Sequence, residues 1–145
     1  MQIAQAGAAD FTIIRALLAE AGLPFDDLRD SRQTRFLVAR AQDGAVTGVA
    51  GLELCGKSGL LRSLMVNPAE RQRGLGAELT LNLERQAKEL GVETLYLLTT
   101  SAENFFAARG YQQFERARVP SEIAATTEFK FLCPVNAVCM CKRLV

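Results

Sequence analysis

Two glycines and two arginines within six residues give the segment Arg71-Gln72-Arg73-Gly74-Leu75-Gly76 the clearest chemical potential in the chain. The segment lies between a predicted strand and a predicted helix, where free backbone N–H groups and the positive end of the helix dipole attract anions. Glycine lets the backbone approach a ligand closely. The segment is neither a P-loop nor a complete dinucleotide fingerprint. We therefore predict a phosphate-type ligand here; the alternative is a glycine-rich turn with two solvated arginines.

The cysteines are a second candidate for chemistry. Cys139 and Cys141 are two residues apart on a predicted strand and share one face, and Cys133 lies upstream. Thiolates are soft ligands that suit a thiophilic ion such as trivalent arsenic. The alternative is buried thiols packed in a terminal strand. Four cysteines are too few for a disulfide scaffold, and together with the lack of an export signal they predict a cytoplasmic protein.

The composition excludes several function classes. The 145 residues include no His and no Trp, which removes the Ser-His-Asp triad and most zinc sites, and we predict no metal site. A formal net charge of +1 gives no electrostatic case for nucleic acid as a partner. No apolar run reaches the length of a membrane span, so no membrane partner is expected. The length predicts one domain over residues 1–145.

Hydrophobic periodicity predicts the elements that must position these residues. Apolar residues Ile13, Ile14, Leu17, Leu18 and Ala21 fall on one face of a helix that begins after Asp10. The other expected elements are strands over 2–6, 36–39, 46–54, 60–66, 92–98, 111–116 and 138–144, and helices over 24–30, 75–90 and 101–109. A long connection spans 120–134. This order predicts an α/β protein whose mixed, mostly antiparallel sheet contains one right-handed strand–helix–strand crossover.

The sequence resembles the GNAT N-acetyltransferase superfamily. Arg71-x-x-Gly74-x-Gly76, after a strand and opening a helix, looks like that family's acetyl-CoA loop. The resemblance implies a sheet splayed at the acetyl-CoA cleft and flanked by helices. It also implies that acetyl-CoA is the co-substrate, that the amides of residues 71–77 (Arg71, Gln72, Arg73, Gly74, Leu75, Gly76, Ala77) hold its pyrophosphate, and that Met65 and Val66 bind the pantetheine arm through their backbones.

A second segment, Asn104-Phe105-Phe106-Ala107-Ala108-Arg109-Gly110-Tyr111, resembles the family's second cofactor motif, which implies that Asn104 and Phe106 contact acetyl-CoA. Leu97-Leu98-Thr99-Thr100 followed by this segment is similar to the acetyltransferase domain of N-acetylglutamate synthases. Most of the chain is similar to the arsenic-resistance-associated amino-acid N-acetyltransferases. These likenesses imply acetyl transfer to the α-amine of a small amino acid or an amino-acid-like compound, with an arsenical as one candidate.

The implied reaction assigns roles to further residues. The N–H of Val66 is expected to stabilise the thioester oxygen, and Glu53 is the candidate proton acceptor, with a solvated or ion-paired glutamate as the alternative. Arg62, on one sheet face with Leu60 and Leu64, is a candidate for binding a carboxylate, or else pairs with Glu53. Thr99 and Thr100 either face the substrate or cap the following helix.

The family's usual general acid is missing, because Phe106 occupies the position where many relatives have Tyr. Tyr111 follows Gly110 at a position where the family has an aromatic packing residue. We therefore predict an N-acetyltransferase acting by direct attack on a small-molecule amine. The alternative is a catalytically weak sensor of a metabolite or metalloid that uses the C-terminal thiols. A homodimer is compatible with an exposed sheet edge.

Overall fold

A seven-stranded sheet with neighbours in the order β1-β2-β3-β4-β5-β7-β6 forms the centre of the fold. The computed structural model describes residues 2–23, 25, 33–71, 73–132 and 134–144. The strands are β1 Gln2–Gln5, β2 Thr34–Arg40, β3 Val46–Cys55, β4 Ser58–Val66, β5 Thr94–Thr99, β6 Gln112–Gln113 and β7 Val138–Arg143. The helices are α1 Phe11–Glu20, α2 Leu75–Glu89, α3 Glu103–Ala107 and α4 Ser121–Ala124.

The predicted fold class is confirmed. All strand pairs are antiparallel except β4 and β5, which are parallel and joined through α2. The helix predicted over 24–30 falls on residues of which only residue 25 is described. The penultimate strand is shorter than the predicted 111–116, because only Gln112 and Gln113 pair with β7. Among the described residues, no helix combines the length and apolar character that a bilayer span requires.

The two faces of the sheet carry different layers. On one face α2 and α3 cover a core that includes Leu79, Leu83, Leu95 and Met140. On the other face α1 packs on Phe36 and Val38, while the connection between β6 and β7 packs on Leu60 and Tyr96. Successive strand residues point to opposite faces of the sheet, and each face is covered by a layer. The central strands are therefore buried on both faces.

The apolar face predicted for helix α1 is confirmed for Ile14 and Leu18, and Leu17 packs against the same cluster, but Ile13 and Ala21 are exposed. Its buried residues are Phe11, Ile14 and Leu18, whereas Ile13 is 48% exposed. Asp10 precedes the helix as predicted, but its carboxylate does not cap α1. It accepts hydrogen bonds from Gly7 N at 2.8 Å and from Arg40 Nη2 at 2.6 Å, which fasten the start of α1 to β2.

A bulge in β4 separates that strand from β5. The β3–β4 register shifts between Val49 and Gly51, and Ser63 adopts a positive φ of 60°. The parallel ladder between β4 and β5 ends at Leu60 and Tyr96. Because a bulge bends its strand and increases the local twist, the second half of β4 diverges from β5, and a gap opens through the sheet.

Candidate functional site

The gap between β4 and β5 holds a cavity of about 1040 Å³. The cavity is lined by residues of both layers. From β4 and the loop into α2 come residues 61–66, 70–71 and 74–77, and from the end of β5 to α3 come residues 97–102, 105, 106 and 109. The opposite side is lined by residues 19, 21–23 and 25 at the end of α1 and beyond it, and by residues 128, 134 and 137 before β7. Because protein ligand pockets usually measure about 300–1,000 Å³, this cavity has room for a large ligand and a small one.

The backbone of Val66 faces this cavity. Asn67 N donates to Thr47 O at 2.8 Å, so Thr47 and Asn67 form a hydrogen-bonded pair of the antiparallel ladder. Pairs alternate along such a ladder, and the neighbouring pair Gly48 and Val66 is therefore of the non-hydrogen-bonded kind. The N–H and C=O of Val66 consequently point away from β3, toward the gap. This orientation supports the predicted role of its N–H.

Met65 is turned the other way. Its pair with Val49 follows that of Val66 and Gly48 in the ladder, so its N–H and C=O point toward β3. Its side chain is 7% exposed and packs with the α1 layer. Met65 lines the cavity as predicted, but its backbone is already engaged in the sheet, and Val66 is the better candidate for a backbone bond to a ligand.

The glycine loop supplies the anion-binding geometry that its sequence predicts. Gly74 has a φ of 81°, and no atom lies within 4 Å of the position its Cβ would take. Glu78 N donates to Gly74 O at 3.0 Å, which starts the helical hydrogen bonding and leaves the amides of 75–77 without partners inside α2. A Cβ on Gly76 would lie 3.3 Å from the Phe105 ring, so glycine allows α3 to approach the loop.

The side chains around this loop divide into two groups. Arg71 lines the cavity and its Nε donates to Val66 O at 3.3 Å, which ties the loop to the end of β4. Arg73 lies outside the lining, 73% exposed, with Nη1 3.8 Å from Glu70 Oε2. Leu75, Ala77 and Phe106 line the cavity, whereas Asn104 is exposed and does not. Gln72 lies outside the described residues.

Arg62 and Glu53 form an ion pair, the alternative that the sequence left open. Arg62 Nη1 lies 3.6 Å from Glu53 Oε1, and its side chain is 1% exposed. Arg62 lines the cavity, but Glu53 does not. The glycine opposite Arg62 makes room for it, since a Cβ on Gly51 would lie 3.1 Å from Arg62 Cγ. The role of Glu53 as a proton acceptor stays a prediction, and the ion pair places its carboxylate at Arg62.

The prediction that Leu64 shares a face with Arg62 was wrong. Leu64 packs in the α2 layer with Leu61, and the next residue, Met65, packs in the α1 layer. The physical reason is the bulge at Ser63, which adds one residue and reverses the alternation beyond it. Arg62 Nε donates to Ser63 Oγ at 3.1 Å, so the bulge also helps to orient the guanidinium.

Thr99 and Thr100 both line the cavity at the end of β5. The hydroxyl of Thr99 accepts hydrogen bonds from Ser101 N at 3.4 Å and from Ala102 N at 2.9 Å. Thr99 therefore caps the turn that leads into α3, the alternative role for this residue. Thr100 is exposed, and its contact with a substrate stays a prediction.

Neither tyrosine reaches the cavity. The Tyr111 hydroxyl donates to Glu84 Oε2 at 2.8 Å, and burial, followed by the neighbouring carboxylate of Glu84, raises the pKa of Tyr111 far above its ordinary value. Tyr96 is buried under the β6–β7 connection. Phe106 packs edge-on against Tyr111, with ring centroids 5.4 Å apart. The packing role predicted for Tyr111 is confirmed, and neither tyrosine is placed to act as a general acid.

The described cysteines are packed thiols. Cys139 lies in the buried cluster under the β6–β7 connection, and the partly buried Cys55 and Cys141 pack against this cluster. Burial, the largest cause, raises the pKa of Cys55 to about 11 and that of Cys139 to about 11, and it also raises the pKa of Cys141. The described residues contain no group of three or more His, Cys, Asp or Glu that could hold a metal ion. Cys133 lies outside the described residues.

Sequence reasoning missed five polar residues of the cavity, two of which are Glu70 and Ser101. Ser63 and Arg109 line it, and so does Glu128, which is 4% exposed. Arg109 lies inside the second motif, and its guanidinium stacks 3.8 Å from the Phe105 ring centroid. Glu128 lies in the long connection before β7, where no local pattern distinguishes a buried carboxylate from a solvated one.

Comparison with known proteins agrees with this geometry. The acetyltransferase (GNAT) family model matches residues 10–115. The chain is 39% identical over 74 residues to an amino-acid acetyltransferase of Pseudomonas syringae pv. tomato, a match that covers 51% of this chain and 17% of that protein. It is 35% identical over 91 residues to an amino-acid acetyltransferase of Azotobacter vinelandii, which covers 61% of this chain and 21% of that protein. The chain thus spans about a fifth of the length of the curated relatives it matches.

Two solved structures share the whole fold. The N-acetylglutamate synthase of Neisseria gonorrhoeae, complexed with coenzyme A and N-acetyl-glutamate, has a TM-score of 0.78 and 25% identity over 99% of this chain and 35% of that chain. A GNAT-family acetyltransferase of Staphylococcus aureus has a TM-score of 0.79 and 16% identity over 99% of both chains. The family-model match includes the glycine loop, and the structural matches cover the opened sheet. The chain therefore belongs to the acetyltransferase (GNAT) family.

Proposed function

We propose that the protein transfers the acetyl group of acetyl-CoA to the α-amine of a small amino acid or amino-acid-like compound. The observation that carries this proposal is the gap between β4 and β5, which exposes the Val66 N–H beside the free amides at the start of α2. The amino-acid acetyltransferases among the relatives support the acceptor class. So does the neighbouring structure that holds coenzyme A and N-acetyl-glutamate.

The loop residues suit the pyrophosphate of acetyl-CoA. The amides of Leu75, Gly76 and Ala77 begin α2, where they can donate to phosphate oxygens, and the Arg71 and Arg109 side chains add positive charge to the cavity wall. The pantetheine arm then extends along the second half of β4. Val66 would contact it or the thioester, since its backbone points toward the gap.

The reaction needs few side chains. The neutral amine nitrogen attacks the thioester carbonyl carbon, the C–N bond forms, and the C–S bond breaks. The Val66 N–H donates to the carbonyl oxygen as charge develops there, a contribution of roughly 2.7–4 kcal/mol in other enzymes. The amine gives up one proton to solvent water. The thiolate can depart without a general acid, because its conjugate thiol has a pKa of about 8.5, and it then takes up one proton from water.

The acceptor class also follows from the ionisation of amines. An α-amine with a pKa of roughly 8 is about one-tenth neutral at pH 7, whereas a lysine side chain near 10.4 is almost fully protonated. The chain has no histidine that could deprotonate a more basic amine. An α-amino acid is therefore the easier acceptor.

The test is release of free thiol from acetyl-CoA in the presence of single amines, with product masses checked. The panel contains L-glutamate, other α-amino acids, organoarsenical and organophosphorus amino acids, polyamines and a lysine peptide. We expect turnover with α-amino acids, and the arsenical members test the finer prediction. Turnover confined to polyamines or the lysine peptide would refute the acceptor class. Acetyl-CoA binding without any turnover would favour the sensor alternative. The homodimer and the cytoplasmic location stay predictions.

A further inference from the structure

Arg109 is a cation on the cavity wall for which the described residues provide no ion pair. It follows α3, and its Nη1 donates to Phe105 O at 2.8 Å. Its guanidinium stacks 3.8 Å from the centroid of the Phe105 ring, and its Nε is buried without a hydrogen-bond partner among the described residues. A carbonyl and a ring face leave the positive charge without a counter-charge. Such a group on a cavity wall suits an anionic ligand.

The other arginines that line the cavity belong to a different side of it. Arg62 Nη1 lies 3.6 Å from Glu53 Oε1, and Arg71 Nε donates to Val66 O at 3.3 Å. Both contacts are with residues of β3 and β4, so these two guanidiniums belong to the β4 side of the cavity. Among the described residues, Arg109 is the arginine that lines the cavity on the α3 side.

The backbone and the side chain of Arg109 are both held in place. Lys142 Nζ donates to Arg109 O at 2.9 Å and to Glu84 Oε1 at 3.0 Å, which connects Arg109 to β7 and α2. Arg109 N donates to Phe106 O at 2.9 Å, and the side chain packs on Phe105. Because the guanidinium is already ordered, binding of an anion to it costs little further side-chain entropy.

Contacts at the glycine loop place Arg109 in a row with the groups proposed to bind acetyl-CoA. A Cβ on Gly76 would lie 3.7 Å from Val66 Cγ2 and 3.3 Å from Phe105 Cζ, so Gly76 lies between β4 and α3. Arg109 lies against the face of the same Phe105 ring. The wall therefore presents, in order, the backbone of Val66, the amides at the start of α2, the Phe105 ring and the Arg109 guanidinium.

Coenzyme A carries its functional groups in a matching order. The thiol and the pantetheine arm come first, the pyrophosphate follows, and the ribose with its 3′-phosphate comes last. We propose that Arg109 binds the 3′-phosphate of acetyl-CoA, and that this contact makes the protein discriminate against dephospho-coenzyme A. A guanidinium can donate two parallel hydrogen bonds to a phosphate, which makes arginine well suited to this group. This inference rests on the proposed function, because it requires acetyl-CoA as the ligand of the glycine loop.

The experiment combines removal of the side chain with removal of the phosphate. Titration calorimetry measures the Kd of coenzyme A and of dephospho-coenzyme A, which lacks the 3′-phosphate, for the unmodified protein and its variants. We expect the unmodified protein to bind coenzyme A about tenfold or more tightly, the contribution of a hydrogen bond to a charged group. Arg109→Gln should weaken the binding of coenzyme A by this factor and abolish the preference. Arg85→Gln, the loss of the same charge at an exposed position of α2 outside the cavity wall, should keep the preference.

Dephospho-coenzyme A also separates phosphate recognition from a structural role. Its affinity should stay nearly unchanged in Arg109→Gln, because the glycine loop still holds the pyrophosphate. Arg109→Lys, which keeps the charge but not the planar fork, should retain part of the preference. Equal weakening of both ligands in Arg109→Gln, an unchanged preference in that variant, or equal affinities in the unmodified protein would overturn the role of Arg109 alone. Binding of neither ligand by the unmodified protein would overturn the proposed function itself.

Discussion

At the scale of single residues, the polar groups outside the cavity mainly hold elements together. Glu84 on α2 accepts the Tyr111 hydroxyl at 2.8 Å and the Lys142 ammonium at 3.0 Å, and Lys142 also donates to Arg109 O at 2.9 Å. This buried network joins the helix that begins at the glycine loop to α3 and β7. Its residues do not line the cavity, with the exception of Arg109.

Removing the Tyr111 hydroxyl should therefore affect stability and not ligand binding. We expect Tyr111→Phe to lower the free energy of unfolding by about 1–3 kcal/mol, because the Glu84 carboxylate loses one of its donors in a buried place. Urea unfolding measures the loss. Tyr96→Phe is the matched control, a deletion of the other buried tyrosine's hydroxyl, for which we expect a smaller loss. Equal losses would show that the Glu84 bond contributes little.

The cysteines give a prediction about reactivity. Burial raises the pKa of Cys55 and of Cys139 to about 11 each. Their thiolate fraction at pH 7.5 should be roughly 100-fold below that of an unperturbed cysteine, since the pKa rises by about two pH units. We expect iodoacetamide to label both residues slowly in the native protein and rapidly in urea, as measured by mass spectrometry. Rapid native labelling, or tight binding of arsenite, would instead favour the sensor alternative.

At the scale of elements, the site is built from turns and strand ends. Some of these could be predicted from the sequence and others could not. The glycine loop was predictable because Gly74 has a positive φ and Gly76 packs closely against Phe105, two requirements that favour glycine. The bulge in β4 was not predictable, because serine seldom adopts the positive φ that Ser63 has here. Without the bulge, Leu64 was assigned to the wrong face of the sheet. Glu128 was missed because burial of a connection depends on contacts with distant strands, such as that of Phe129 with Leu60.

The loop can be tested with two glycines of the same conformation. Gly74 and Gly44 have φ values of 81° and 88°, and at neither glycine does any atom lie within 4 Å of the position that a Cβ would take. Alanine should cost each about 1–2 kcal/mol of stability from backbone strain alone. Only Gly74→Ala should weaken acetyl-CoA binding, by about tenfold or more, because it displaces the amides at the start of α2. Calorimetric titration would show it, and equal affinities in the two variants would contradict the loop assignment.

The attachment of α1 to β2 should depend on pH. The hydrogen bond from Arg40, the largest cause, and that from Gly7 hold the pKa of Asp10 below its usual range. A carboxyl whose pKa is lowered on folding contributes stability above its unfolded pKa of about 3.9, and this contribution is lost as the pH falls through the folded value. Asp10→Asn should thus cost a few tenths to about 1 kcal/mol at pH 7, since the pair is near the surface.

That difference should shrink as the pH falls below the unfolded pKa of about 3.9 and then through the lower folded value, since Asp10 becomes protonated in both states only there. Asp43→Asn is the control, because Asp43 Oδ1 also accepts a backbone N–H, from Ala45 at 3.0 Å, in a hairpin turn. Thermal unfolding of both variants and the unmodified protein across pH 2–7 measures the effect. A constant difference for Asp10→Asn over that range would mean that the ion pair contributes nothing.

At the scale of the whole molecule, the cavity passes through the sheet from one layer to the other. The glycine loop and α3 line it from one face, and the end of α1 and the β6–β7 connection line it from the opposite face. A nucleotide thioester held by the loop and an amine held on the opposite face would therefore occupy different parts of one cavity. Neither would have to leave before the other could enter. Under the proposed function both substrates are bound at once and the acetyl group passes directly between them, so we expect double-reciprocal rate plots that intersect; parallel plots would contradict direct transfer.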